Sequence, residues 1–297
     1  MTEPLTAAAD RIVAVPVRRW GRWVSALLVL LALLWLVNAF RQADVKWETT
    51  RHFLTVHTVL IGMGKTLWIS VLAQAVGVVL GVVVAVMRSS GNPVTGAVGW
   101  LYVWFFRGTP VYLQLILWYN LALIFPTMSF PGIGSSPTTD VMTPFVAALL
   151  GLGINEGAYM AEIVRAGIGS VDEGQTEAAL ALGMSRGLLL RRVVLPQAMR
   201  VIVPPTGNEF VNMLKTSALV SVVQYPELIR SVTDIFTSNL QIVELYFVAA
   251  FWYLVLTSVF SVGQFYLERR FSRGASRSLP ATPWQRARAN LLSRPRL

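Results

Sequence analysis

The sequence contains no cysteine, which excludes disulfides and cysteine-based metal sites. Charge is scarce. Only 13% of the 297 residues are charged and 55% are hydrophobic, whereas soluble domains carry roughly 25% charged residues. There are only two histidines, His52 and His57. Their spacing does not give the shared helical face of a zinc pair, and no carboxylate motif accompanies them, so they read as solvated loop histidines and no metal site is expected. Acid is missing from the end of the chain: Arg269 to Leu297 holds eight Arg and no Asp or Glu, which is +8 of the net +10. A basic segment directly after a membrane span reads as a cytoplasmic anchor against lipid, not as a nucleic-acid arm.

Catalytic patterns are missing too. Gly64-Lys65-Thr66 has the end of a phosphate-binding loop, but Val59 stands where the first glycine is required. Gly183-Met184-Ser185-Arg186-Gly187 has nucleophile-elbow spacing, yet it follows a helical pattern instead of a strand, and no histidine lies near it. With no acid–base cluster elsewhere, the chain reads as a non-enzyme.

What is present is a series of apolar runs. Val24 to Phe40 follows Arg18, Arg19 and Arg22. It fits an uncleaved span with a cytoplasmic N-terminus, or a signal peptide cut after Val37-Asn38-Ala39; the basic flank and the length favour the span. A second span is expected over Lys65 to Met87, with Gly77 and Gly81 as a small-xxx-small packing pair. Asn92 to Phe106 reads as an aromatic interfacial segment, followed by a span to about Phe125. Pro126 to Pro144 reads as an external loop, Pro144 to Arg165 as a span, Val201 to Val223 as a span broken at Pro204-Pro205, and Leu245 to Phe265 as the last. Segments assigned to the cytoplasm hold Arg11, Arg18, Arg19, Arg22, Arg88, Arg107, Arg165, Arg186, Arg191, Arg192, Arg200 and the eight tail arginines, nineteen in all. Segments assigned outside hold five: Arg41, Lys46, Arg51, Lys65 and Arg230. That bias puts both termini in the cytoplasm of a multi-pass membrane protein.

Between the fourth and fifth expected spans lies a polar stretch, Ser170 to Arg200, that cannot sit in hydrocarbon. Ser170 followed by Glu173 predicts a capping box and a helix start. Gly183 predicts the helix end, Ser185 caps a second helix, and Pro196 is expected to close it. The pattern Glu177-Ala178-Ala179, Gly183, Val193, Leu195-Pro196 resembles the EAA loop of ATP-binding-cassette (ABC) importer permeases. Val193 stands where that family favours Ile. Charge alone already places this loop in the cytoplasm.

Polar side chains inside spans are candidate functional groups. Glu156 has no local partner; Glu162 is three residues from Arg165, so a local ion pair is its plain structural reading. Asn208, Glu209, Asn212 and Lys215 follow the two prolines, as in the discontinuous helices that line transporter pathways. Arg107-Gly108-Thr109-Pro110, the string Asn155 to Arg165, Pro204-Pro205 with Asn208-Glu209-Phe210, and Lys215-Thr216-Ser217-Ala218-Leu219 resemble the polar amino-acid subfamily of these permeases. Ala218 stands where that subfamily more often has Ser or Thr.

The resemblance covers about residues 60–268. It implies an all-α integral membrane fold of about six transmembrane helices, an extra N-terminal one added to a five-helix permease core. The expected organisation is residues 1–59 (basic segment, first helix, external loop), 60–268 (core, with the coupling loop at 170–200) and 269–297 (Arg-rich tail). It implies a bacterial inner-membrane permease for polar amino acids that pairs with itself or a sister permease. Its partners would be two ATPase subunits inside, which use ATP and Mg, and a solute-binding protein outside. Coupling to the ATPase would fall to Glu177, Ala178, Ala179, Gly183, Ser185, Leu195 and Pro196. The substrate path would involve Glu156, Glu162, Asn208, Glu209, Lys215, Thr216 and Ser217. The alternative is a passive channel or ion-coupled secondary transporter with Glu156, Glu209 and Lys215 as its conduction path; it leaves the EAA-like loop unexplained.

Overall fold

The computed structural model describes residues 20–130 and 134–271, together with Trp284. Most of the Arg-rich tail and of the basic N-terminal segment lies outside the described residues. Helices dominate because the apolar runs offer no other way to satisfy backbone polar groups in hydrocarbon. The chain forms two compact units, Met1–Lys46 and Trp47–Leu297. The first contains α1, Trp20–Gln42, whose apolar side chains are exposed all round, as suits a lipid-facing helix.

The second unit begins with α2 (Trp47–Phe53) and α3 (His57–Ser89). His52 and His57 are exposed, as expected, but both sit on helices and not in a loop. Helix α4 (Pro93–Gly108) fills the expected interfacial segment, and α5 (Val111–Tyr119) stands where a full span was expected. By rise per residue they are about 24 and 14 Å long, so neither alone crosses a core of about 30 Å. The break between them has a clear cause. Pro110 cannot donate to the preceding turn, and the freed carbonyls of Phe106 and Thr109 accept from Gln114 Nε2 at 3.0 and 3.1 Å. Asn155 Nδ2 adds a second donor to Phe106 O at 2.7 Å.

A small antiparallel hairpin, β1 (Thr127–Phe130) and β2 (Gly134–Pro137), and α6 (Thr138–Val141) occupy the expected external loop. Next comes α7, Pro144–Gly169, capped by the Thr143 hydroxyl. Helices α3 and α7 form the centre of the unit. A Cβ on Gly77 would overlap Glu156, one on Gly81 would overlap Met160, and Gly153 and Gly157 would meet Val76, Leu80 and Tyr102. The predicted small-xxx-small pair therefore has a matching pair on the facing helix, which lets the two backbones approach closely.

Helix α8 (Glu173–Ala181) starts later than expected. Asp172 stands at its N-cap, while Ser170 caps the end of α7 and donates its hydroxyl to Gly167 O at 2.7 Å. The apolar face of α7 runs on through Val164 and Ile168 into the core, so packing carries that helix past Arg165. Ser185 caps α9 (Arg186–Leu189), accepting from Leu188 N.

Pro196 does not close this second helix. A π turn, Leu190–Val194, joins α9 to α10 (Leu195–Thr216), with Pro196 in the first turn of α10. The wider turn makes room for the proline ring, which would otherwise meet the carbonyl one turn back, and places the missing N–H where it does least harm. Nor is α10 broken at Pro204-Pro205, which lie inside it. Irregular backbone starts only at the 3-10 stretch Ser217–Val223, which ends at Gln224 with φ 61°.

Helices α11 (Leu228–Asn239) and α12 (Ile242–Phe271) complete the unit. Fully buried Glu227 caps α11, accepting from Ile229 N and Arg230 N at 2.8 Å and from Tyr253 OH at 2.9 Å. It thereby ties α11 to α12. Among the described residues, α1, α3 and α12 are long and apolar enough to cross a membrane. The other expected crossings are made of helices that are shorter, broken or more polar.

Candidate functional site

Two features stand out. The first is the loop built by α8, α9 and the π turn. Met184 N donates to Ala179 O at 3.1 Å and Gly183 N to Leu180 O at 2.9 Å, with Gly183 at φ 77°. This is a Schellman closure, which wants a residue without a Cβ at its left-handed position. Ala179 is buried against Leu189 and Val194, and this small cluster fixes α8 to the start of α10. Glu177, Ala178, Ser185, Leu195 and Pro196 are exposed. So are the apolar side chains Leu180, Leu182 and Leu188, with Leu182 85% exposed. Exposed apolar side chains rimmed by polar residues mark a docking surface where they cluster.

The second feature is a cavity of about 930 Å³ walled by α7, α10 and the α4–α5 break, at the upper end of the range for small-molecule sites. Leu152, Asn155, Glu156 and Tyr159 line it from one face of α7, and Glu209, Asn212, Met213 and Thr216 from one face of α10. Both sets follow the i, i+3, i+4, i+7 spacing of a helical stripe. Arg107, at the end of α4, lies over the Tyr159 ring, with Cζ 5.0 Å from its centroid. Lys215 is on the wall as well. Glu156 is 5% exposed and accepts from Gln74 Nε2 of α3 at 3.1 Å. Among the described residues, the Glu209 and Lys215 side chains form no hydrogen bond or ion pair. The cavity thus carries two carboxylates and two cations, and one member of each sign is free to meet a solute. A zwitterion's carboxylate and ammonium would each find an opposite charge here.

Glu156, Glu209, Lys215 and Thr216 are brought together at this cavity. Glu162, Asn208 and Ser217 are not. Glu162 pairs with Arg88 of α3 and, at 2.7 Å, with Arg165. Asn208 faces a separate cleft toward α12. Ser217 is buried, its hydroxyl donating to Leu214 O at 2.8 Å. Arg107 lines the cavity, although the sequence placed it among the cytoplasmic loop charges. Asn155 and Tyr159 were not singled out as path residues, and Asn212 was named only among the polar residues that follow the two prolines. Counting three residues on from Glu156 and from Glu209 finds Tyr159 and Asn212, but not Asn155, which adjoins Glu156; nothing local marks Gln74, which reaches Glu156 from another helix.

Residues 77–273 match the family described as "Binding-protein-dependent transport system inner membrane component". The arginine transport system permease protein ArgU of Corynebacterium glutamicum is 45% identical over 278 residues, 93% of this chain and 88% of that one. The glutamine transport system permease protein GlnP of Escherichia coli is 35% identical over 210 residues, 70% of this chain and 90% of that one. A crystal structure of an amino acid ABC transporter with histidines superposes with a TM-score of 0.66 at 36% identity, covering 77% of this chain and 100% of that one. The family match runs from residue 77, in the second half of α3, over the α8–α9 loop and every helix that walls the cavity. The chain belongs to the family of binding-protein-dependent transport system inner membrane components, the membrane-spanning permeases of ABC importers.

Proposed function

We propose that this chain forms the translocation path of an ATP-driven importer of polar amino acids, arginine being the first to test. The observation that carries this reading is the cavity in which Glu156 and Glu209 face Arg107 and Lys215. Two carboxylates and two cations match a zwitterionic solute, and a cationic side chain would add a further partner for the second carboxylate. The relatives named for arginine and glutamine transport support the same substrate class.

In this reading both termini lie in the cytoplasm of the bacterial inner membrane, and the chain pairs with itself or a sister permease. The loop from Glu177 to Pro196 docks on a separate ATPase pair, which binds ATP and Mg, while a solute-binding protein delivers the amino acid outside. This chain does no chemistry. Closure of the ATPase pair on ATP favours one of two permease states, and the free energy comes from that difference in affinity. The exposed leucines around the Schellman turn are the contact, and Ala179 transmits the motion to α10 through Leu189 and Val194.

The test is affinity purification of the chain from its own membranes after mild crosslinking, with wild type beside Glu177→Lys. Recovery of an ATPase carrying a phosphate-binding loop together with an amino-acid binding protein, and loss of the ATPase from the variant, is expected. Recovery of the wild-type chain alone, with solute flux that needs no ATP, would favour the channel or secondary-transporter reading.

A further inference from the structure

A second cavity, about 410 Å³, lies between α10 and α12, with Asn208, Asn212, Ser261, Gln264 and Glu268 on its walls. On α10 its polar residues are one turn apart; on α12 they are three, four and seven apart, so each helix turns one polar stripe into it. Asn208, Asn212, Ser261 and Glu268 are exposed, and their side chains form no hydrogen bond among the described residues. Polar groups left open on helices at membrane depth are costly and are retained where they meet water or a solute.

Two further facts decide what this cleft does. Asn212 lines both it and the central cavity, so the two spaces share a wall residue. The gap is also held at fixed width. Gln264 Nε2 donates to Pro204 O at 2.6 Å, and its amide lies where Gly207 lacks a Cβ, which pins α12 to α10 beside the opening. From Ser261 to Glu268 the stripe runs about 10 Å along α12 toward its C-terminal end.

We infer that this cleft is the exit route by which the solute leaves the central cavity for the cytoplasm, handed from Asn212 past Asn208 and Ser261 to the Glu268 carboxylate. The amides and hydroxyl replace part of the solute's hydration, and Glu268 attracts its ammonium or guanidinium group at the mouth. The inference rests on the importer reading and its orientation.

The natural absence of cysteine allows a direct test. Asn208→Cys, Ser261→Cys and, as a lipid-facing control on α12, Val262→Cys are each placed in the full transporter in inside-out vesicles. Each is then treated with a charged, membrane-impermeant methanethiosulfonate. Labelling of the first two at least about tenfold faster than the control is expected, because a charged reagent hardly enters hydrocarbon. After labelling, the modified Asn208→Cys transporter reconstituted in proteoliposomes should also lose ATP-driven arginine uptake. Labelling no faster than the control, or full labelling with unchanged uptake, overturns the route. So does an oxidant-driven disulfide between two chains through Asn208→Cys without reagent labelling, which would give this face to a second copy. The importer reading fails separately, if Glu209→Gln and Lys215→Met leave arginine uptake unchanged.

Discussion

Gly183 offers the sharpest perturbation of the loop proposed to dock on the ATPase. Its φ is 77°, and a Cβ built there meets nothing within 4 Å. Substitution therefore costs backbone conformation only, with no clash to confuse the result. An L-residue held in the left-handed region costs about 1–2 kcal/mol, a factor of roughly 5–30 in the population of the correctly closed turn. Asn tolerates that region better than Ala does. Proline forces φ to about −65° and removes the donor, at about 3 kcal/mol or more; here it deletes the Gly183 N–H to Leu180 O bond. Gly187 is the internal control: it lies in α9, with ordinary helical φ and open space around it. ATP-driven uptake in proteoliposomes, corrected for the amount of chain in the membrane, should fall in the order Gly187→Ala, Gly183→Asn, Gly183→Ala, Gly183→Pro, with the first near wild type. Uptake by Gly183→Pro equal to wild type at equal abundance would refute the view that this turn must hold its shape.

Gly81→Leu should destabilise the whole unit by about 1–3 kcal/mol or more, because the new side chain overlaps Met160 and the backbone of Ala161. Gly64→Leu on the same helix faces open space and should be tolerated; thermal unfolding in detergent compares the two. Glu162→Ala should lower the melting temperature more than Arg165→Ala. Arg88 is 17% exposed and loses its counter-ion in the first case, whereas Arg165 is 48% exposed and belongs to a surface pair worth about 0–1 kcal/mol. Equal shifts would mean that Arg88 is solvated without Glu162.

Much of the architecture was legible in the sequence because it follows local rules. The apolar runs of α3, α7 and α12, the packing pair Gly77 and Gly81, the Ser185 cap and the Gly183 turn all depend on residues close in the chain. Where the local reading failed, a distant contact had decided. Ser170 carries the capping signature, but the apolar face of α7 extends into the core and makes it a C-cap. Pro196, Pro204 and Pro205 each signal a stop, yet the π turn and continuous packing of α10 carry the helix through all three. The α4–α5 break is closed by Gln114 and Asn155, and Asn155 is far away in sequence.

The cavity was half legible for a related reason. Glu156, Glu209 and Lys215 are conspicuous as charges in apolar helices. Which of their neighbours face the same space depends on helical phase, and Asn208 sits one residue, about 100°, away from Glu209. Glu162 looked like a path residue by composition, but Arg88 of α3 completes its pairing, and no spacing within α7 shows that.

On the proposed function, this charged cavity carries the solute and a separate ATPase drives it. The most direct test is initial-rate uptake of labelled arginine into proteoliposomes holding the assembled transporter, with and without ATP, for wild type, Glu209→Gln and Lys215→Met. Uptake that requires ATP and drops about tenfold or more in both variants, from the loss of one charge-assisted contact of about 1.5–3 kcal/mol, is the expected result. Unchanged arginine uptake in both variants, or wild-type uptake that proceeds equally without ATP, would contradict the account.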